Sequence, residues 1–360
     1  MKRLRKYAGI LTLALLLTAC GKDSSEPAAA PAQDVTAQTA TETTQAKLPP
    51  VMLYRTKDDG TAALQGYDTV SENVEKPEYT DVLRLPEEID GLKVTAIDAE
   101  GFADADYFGS VDFPERIFEM GDGCFRNSTL SDLTLHETLP MTYGNEAFAG
   151  CEKLEHVWLT DSVMTFGNDA FTGCIGIADF HYQEGTLIAG NNFCAGLTGM
   201  WNLILDCDAT LGKGAFSGCT SLTHIDLGGG TVTLGDDCFT GCTGTETLLF
   251  TEAELHFGSG CFAGCSADSL TISDCTGEIG DNCFTDCKEM NYVLIKEGIT
   301  KIGAGAFAGC GRIETFDIPA SVTEIGEGAF ADCGDAMLMV PAGSYAAKYA
   351  EEHGLDYIEQ

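Results

Sequence analysis

Basic side chains are scarce in this chain: its 360 residues hold 20 Lys and Arg against 56 Asp and Glu, a formal charge of −36. A surface that acidic repels phosphate backbones and anionic lipid, so charge recruits neither nucleic acid nor a membrane surface. Catalytic signatures are missing as well. No Gly-x-Ser-x-Gly elbow, phosphate-cradling glycine loop or His-Glu-x-x-His occurs, and these are the short patterns that would announce acyl transfer, phosphoryl transfer or zinc proteolysis. Histidines and carboxylates are present, but a chain this acidic pairs them by chance. No loop alternates Asp and Asn at the spacing of a calcium-binding hand. The expectation is a protein that is not an enzyme and carries no cofactor and no metal.

What the chain has in abundance is repetition. Eleven phenylalanines, Phe102, Phe125, Phe148, Phe171, Phe193, Phe216, Phe239, Phe262, Phe284, Phe307 and Phe330, follow one another at 22 or 23 residues. The text around them reads AFAGC at 147–151 and 306–310, AFTGC at 170–174, AFSGC at 215–219 and AFADC at 329–333. A period in this range marks a solenoid whose units bury their apolar faces only by stacking on one another. About nine residues after each Phe stands an apolar-x-apolar pair, such as Val157 and Leu159, Leu203 and Leu205, or Phe316 and Ile318. Alternation at period two predicts a short strand with one buried side. A second short apolar patch follows a turn, as in Val322 to Ile325, before the next Phe segment closes the coil.

The first residues have a different character. Lys2, Arg3, Arg5 and Lys6 precede an apolar run from Tyr7 to Leu17, which ends in Thr18-Ala19-Cys20. A basic start, a short apolar stretch and small residues before a cut predict a secretory signal, too short to remain as a spanning helix. Leu17-Thr18-Ala19-Cys20 resembles a bacterial lipobox, which implies cleavage before Cys20 and lipidation on it. From Gly21 to Pro50 the chain is rich in Ser, Thr, Ala, Gln, Glu and Pro, and such a segment is expected to act as a flexible tether. Removing residues 1–19 takes away four of the 20 basic residues and no acid, leaving 16 against 56, a balance of −40. Lipid, not charge, would then hold the protein to its membrane.

The repeat text IPASVTEIGEGAFADC at 318–333 resembles the BspA-like leucine-rich repeats of bacterial surface proteins. IDGLKVTAI at 89–97 resembles that family's entry segment, and VPAGSYAAKYAEEHGLDYI at 340–358 its exit cap. The resemblance implies a β-rich repeat solenoid, leucine-rich-repeat-like and right-handed. About twelve rungs are expected, with one long parallel sheet, short helical or turn segments on the other side and a C-terminal helical cap. The domain order expected is a signal peptide at 1–19, a lipidated Cys and linker at 20–50, an N-terminal cap and first rung at 51–101, repeats at 102–340 and a C-terminal cap at 341–360.

Sixteen cysteines invite a chemical reading. Eight of them, Cys151, Cys174, Cys219, Cys242, Cys265, Cys287, Cys310 and Cys333, sit three residues after the Phe, and Cys124, Cys238, Cys261 and Cys283 sit one before it. Repetition in register makes each set a ladder with rungs about 4.8 Å apart. Small buried thiols filling the core account for this most simply. Disulfides between neighbouring rungs and zinc at the Cys-x-x-x-Cys pairs are the alternatives. Fifteen cysteines after Cys20 is an odd number, and no histidine stands at ligand spacing.

Residues flanking the buried pair point outward, and stacking aligns them in columns. One column contains Asp132, His156, Asp179, Asn202, His224 and Tyr292, and the other contains Trp158, His181 and Asp226. These nine are the candidate ligand-binding residues: an aromatic platform with hydrogen-bonding neighbours. His136 lies just beyond the strand of its own rung. The reading is a lipid-anchored, extracytoplasmic monomer of the cell envelope that binds an extracellular protein. A surface glycan as ligand and a structural envelope role without any ligand are the alternatives.

Overall fold

The computed structural model describes residues 47–135, 141–159 and 163–360. The signal segment, Cys20, most of the linker and His136 lie outside the described residues. Each coil has three sides. In the coil of Phe307, the strand Tyr292–Ile295 forms a first face and the strand Ile299–Ile302 a second. Turns through Phe307 to Cys310 form the third side and lead to the next first-face strand, Thr315–Asp317. The eleven Phe anchors mark eleven complete turns, with a partial turn at each end, so the expectation of about twelve is met closely. Every anchor is buried, Phe330 being the most exposed at 5 %.

Registers follow the period two of the sequence. Val157, Leu159, Phe180, Tyr182, Leu203 and Leu205 all point into the core. The second apolar patch is also a strand in most coils, so the protein has two parallel ladders of strands. Thr165 of the strand Val163–Phe166 pairs with Thr142 before it and Ile188 after it, while Met164 and Phe166 point inward. The strands Asp179–Ala189 and Asn202–Leu211 run through both faces and join them in one nineteen-stranded sheet. The first face is interrupted after His224–Asp226. Three consecutive glycines, 228–230, follow that strand, with Gly229 at φ 85°, and glycine runs weaken strand pairing. From Thr247–Thr251 onward the first face forms a separate six-stranded ladder.

The Phe rings build the core column. Phe102, Phe125, Phe148 and Phe171 stack nearly parallel, with centroids 5.1–5.7 Å apart. At Phe193 the ring turns edge-on, at 87° to Phe171 and 83° to Phe216. Phe180 packs beside the turned ring, meeting Phe193 at 5.6 Å and 88°. Parallel stacking resumes from Phe216 to Phe330.

Two further columns fix the coil spacing. From the strand Glu119–Met120 onward a glycine follows each second-face strand because nothing larger fits: a Cβ on Gly235 would sit 2.5 Å from the carbonyl carbon of Gly212, and one on Gly167 2.6 Å from the nitrogen of Asn145. Beside them runs an amide ladder. Asn145, Asn168 and Asn191 each accept, through Oδ1, the backbone N–H of the equivalent residue one coil later, at 2.8–2.9 Å.

Both ends are closed. An antiparallel hairpin, Met52–Thr56 with Ala62–Tyr67, covers the first coil, its second strand pairing in parallel with Leu92–Ile97. The helix Tyr345–His353 starts at Ser344, whose side chain accepts the Ala347 N–H, and stops at Gly354 in the left-handed region. Its Tyr349 packs edge-on against Phe330 at 6.1 Å and donates to the Gly326 carbonyl at 3.0 Å, sealing the column.

Candidate binding face

The first face gathers eight of the nine expected residues on contiguous strands. Asp132 pairs with His156, Trp158 with His181, Asp179 with Asn202, and Asn202 with His224; Asp226 continues the second column beside Ile204. Tyr292 does not join them. It lies on the six-stranded ladder beyond the glycine break, where its hydroxyl donates to Asp317 at 2.9 Å. Burial first, and Asp317 second, raise the phenol above its ordinary pKa, so it stays a donor at neutral pH.

Polar partners on the face are local. His156 Nδ1 is 3.1 Å from Asp132 Oδ1 across two strands. His181 Nε2 is 2.9 Å from Asp179 Oδ1, two residues back on the same side of the same strand. Asn202 departs from expectation. Its column was expected to be exposed, yet Asn202 is only 7 % exposed. Its Nδ2 lies 2.8 Å from Asp179 Oδ1 and 2.9 Å from His181 Nε2, which draws the amide down between strands, and its Oδ1 has no partner. His224 and Asp226 are exposed, and Asp226 Oδ1 accepts the Gly228 N–H at 3.2 Å.

Trp158 is 58 % exposed, as a recognition platform requires. Sequence reading missed its counterpart. Trp201, 52 % exposed, stands immediately before Asn202 at the rim of the same face, two strands from Trp158. The available signal was that the chain has only two tryptophans and that Trp201 flanks a column position. An exposed indole loses little rotamer freedom on contact and offers a large apolar area, which is why tryptophan anchors interfaces. Among the described residues no three His, Cys, Asp or Glu side chains converge as metal ligands. A separate concavity lies elsewhere, at the entry hairpin, lined in part by Tyr67, Tyr79 and Tyr107.

The cysteines sit away from this face. All fifteen described cysteines are buried and unpaired. Cys174 donates to the Phe148 carbonyl at 3.0 Å, Cys242 to Phe216 at 3.3 Å and Cys333 to Phe307 at 3.1 Å, each the anchor one coil earlier, whereas Cys219 donates to the Cys194 carbonyl at 3.2 Å. Burial pushes the Cys219 and Cys333 thiols up to about 12.

A sequence pattern described as a BspA type leucine rich repeat region matches this chain in six copies, over residues 87–197 and 209–336. No curated protein matches it. Among solved structures, a leucine-rich repeat protein from Bacteroides ovatus ATCC 8483 is 18% identical, with a TM-score of 0.50 over 86% of this chain and 98% of that one. A leucine rich cell surface protein from Faecalibacterium prausnitzii A2-165 is also 18% identical, with a TM-score of 0.45 over 86% and 92% of the two chains. At such identity the first likeness carries the fold and leaves the ligand open.

Proposed function

This chain belongs to the BspA-type leucine-rich repeat family, and we propose that it is an exported bacterial surface protein, lipid-anchored through Cys20, that captures an extracellular protein on its first face. The observation that carries the reading is the pair of exposed indoles, Trp158 and Trp201, set among His156, Asp179, His181 and His224 in register on neighbouring strands. Open faces of this kind bind by area and anchor residues instead of by enclosure. Binding, not catalysis, is the activity. The acidic balance argues for a partner with basic or neutral contact residues, because like charges across an interface cost affinity.

A glycan is the second reading, and the same two tryptophans favour it, since indole faces stack on sugar rings while His and Asp bond their hydroxyls. A soluble form beginning at Val51, screened against arrays of glycans and of extracellular matrix proteins, separates the two. Protein hits weakened by both Trp158→Ala and Trp201→Ala support capture of a protein; sugar hits lost on the same substitutions support the glycan. Hits unchanged in both variants would remove the first face from the account. Both variants should keep native stability within about 0.5 kcal/mol, because the removed groups are exposed.

A further inference from the structure

The Asp179–His181–Asn202 cluster does not close as a hydrogen-bonded network. Its three atoms, Asp179 Oδ1, His181 Nε2 and Asn202 Nδ2, lie 2.8, 2.9 and 2.9 Å from one another. Each such contact needs one hydrogen between its atoms. If the Asn202 amide gives one hydrogen to Asp179 and one to His181, the imidazole lone pair faces the carboxylate. If Nε2 carries the proton and gives it to Asp179, hydrogens meet between His181 and Asn202. One edge of the triangle fails in either arrangement, and Asn202 Oδ1 is left buried without a partner.

The two ends of an amide are nearly isosteric, so Asn202 turns over with little steric change. Its oxygen then enters the triangle, and with the imidazole proton on Nδ1 two oxygens and one nitrogen, all acceptors, converge. Three acceptors this close repel unless a cation lies between them. Ligand atoms at right angles around a six-coordinate ion with bonds of about 2.0–2.1 Å are separated by about 2.8–3.0 Å, the bond length times the square root of two. The observed edges have that length. We propose that Asp179 Oδ1, His181 Nε2 and Asn202 Oδ1 form one triangular face of a six-coordinate site for a first-row divalent transition ion, with the three remaining positions open to solvent. One imidazole with two oxygen donors suits the borderline ions, from iron to zinc. The burial of Asn202 holds that donor in place, whereas the half-buried Asp179 and His181 side chains leave the ion a way in. The third donor is an amide, which is why a pattern of His, Cys and acidic residues does not reveal the site. The proposal is independent of what the face captures.

Titration of the purified full chain with Co²⁺ tests it, followed by visible absorption and by heat. One saturable equivalent with the weak bands of six-coordinate cobalt is expected. His181→Gln and Asn202→Ala should each weaken it roughly tenfold or more, while His256→Gln, which removes a histidine paired with Glu254 on the second face, leaves it unchanged. Asn202→Asp gives a second readout. Without the ion two carboxylates crowd together and the melting temperature falls; with Co²⁺ it recovers, and affinity rises about tenfold or more. No saturable binding, binding that survives both His181→Gln and Asn202→Ala, or an intense thiolate-to-cobalt band from the buried cysteines would each overturn the proposal.

Discussion

Cys310 Sγ lies 3.0 Å from the carbonyl oxygen of Phe284, the anchor one coil earlier and 26 residues back in the chain. The same bond recurs from Cys151 to Phe125 at 3.1 Å and from Cys287 to Phe262 at 3.3 Å. A cysteine at this position therefore does two things: it fills a small core volume and it occupies a carbonyl lone pair inside the stack. Serine would satisfy the carbonyl but costs more to bury, and alanine would leave a cavity and one bond fewer. Cys310→Ala should lower stability by about 1 kcal/mol in urea unfolding, below the roughly 2–5 kcal/mol of a lost disulfide. Reductant should leave the melting temperature unchanged, and mass spectrometry of the unreduced protein should find free thiols. Most of the fifteen paired would sink this account.

The same burial sets an alkaline limit. Cys219 and Cys333 are held up to about 12 against an ordinary 9.0, so at neutral pH neither forms thiolate and alkylation waits on opening of the coil. The folded-state value exceeds the unfolded one. Below about pH 9 both states keep the proton and these thiols impose no penalty. As pH rises from 9 toward 12 only the unfolded chain ionises, and stability should fall. A melting temperature that stays flat across that window would contradict the burial.

Phe239 stacks at 5.4 Å on Phe216 and 4.8 Å on Phe262, both within 9° of parallel. Phe239→Ala should cost about 3–5 kcal/mol, because its neighbours cannot collapse into the gap without breaking their own register. In a solenoid the loss acts through nearest neighbours, so hydrogen exchange should speed up first in the coils of Phe216 and Phe262 and last at the capped ends.

Gly235 and Gly264 make a controlled pair. A methyl group on Gly235 meets the Gly212 backbone at 2.5 Å, which no rotamer change can relieve, whereas one on Gly264 meets nothing within 4 Å. Gly264 sits at φ 69°, so Gly264→Ala should cost about 1–2 kcal/mol from the left-handed conformation alone. Gly235→Ala should cost more, about 2–3 kcal/mol or beyond, since the coils must move apart. Equal costs would mean that the glycine column does not set the spacing.

Cys20 carries the anchoring half of the proposed function. In a bacterial host Cys20→Ser should abolish incorporation of labelled fatty acid and leave the chain unprocessed or released from the membrane fraction. Unchanged fractionation with an unchanged mature N-terminus would make Cys20 incidental.

Much of the fold was legible because the solenoid repeats its own physics. The anchor Phe, the inward pair and the outward columns each follow from a short spacing, and the registers of Asp132 with His156 and of Trp158 with His181 agree with it. The second ladder was harder to read. Its strands are three or four residues long in most coils and their inward residues range from Ala189 to Phe257, so alternation is weak. The glycine break that parts Tyr292 from the other candidates could not be seen in a column listing, because column membership says nothing about whether neighbouring strands bond. Asn202 was misjudged for a related reason. Its position points outward, but two side-chain contacts, one to the neighbouring strand and one diagonal, pull it under, and such contacts are invisible to periodicity. Trp201 lies just outside the strand, where alternation gives no direction.

The amide ladder from Asn145 through Asn168 to Asn191 joins each residue to its equivalent one coil on, with no longer-range partner in the set. Loss of residues 217–239, from just after one anchor to the next, would place Phe216 beneath the coil of Phe262 with each column still in step. Loss of a segment a few residues shorter would put every later side chain out of phase. Unequal exchange between similar stretches of its own gene can therefore lengthen or shorten this protein by whole coils, changing the reach of its surface while the remaining architecture survives.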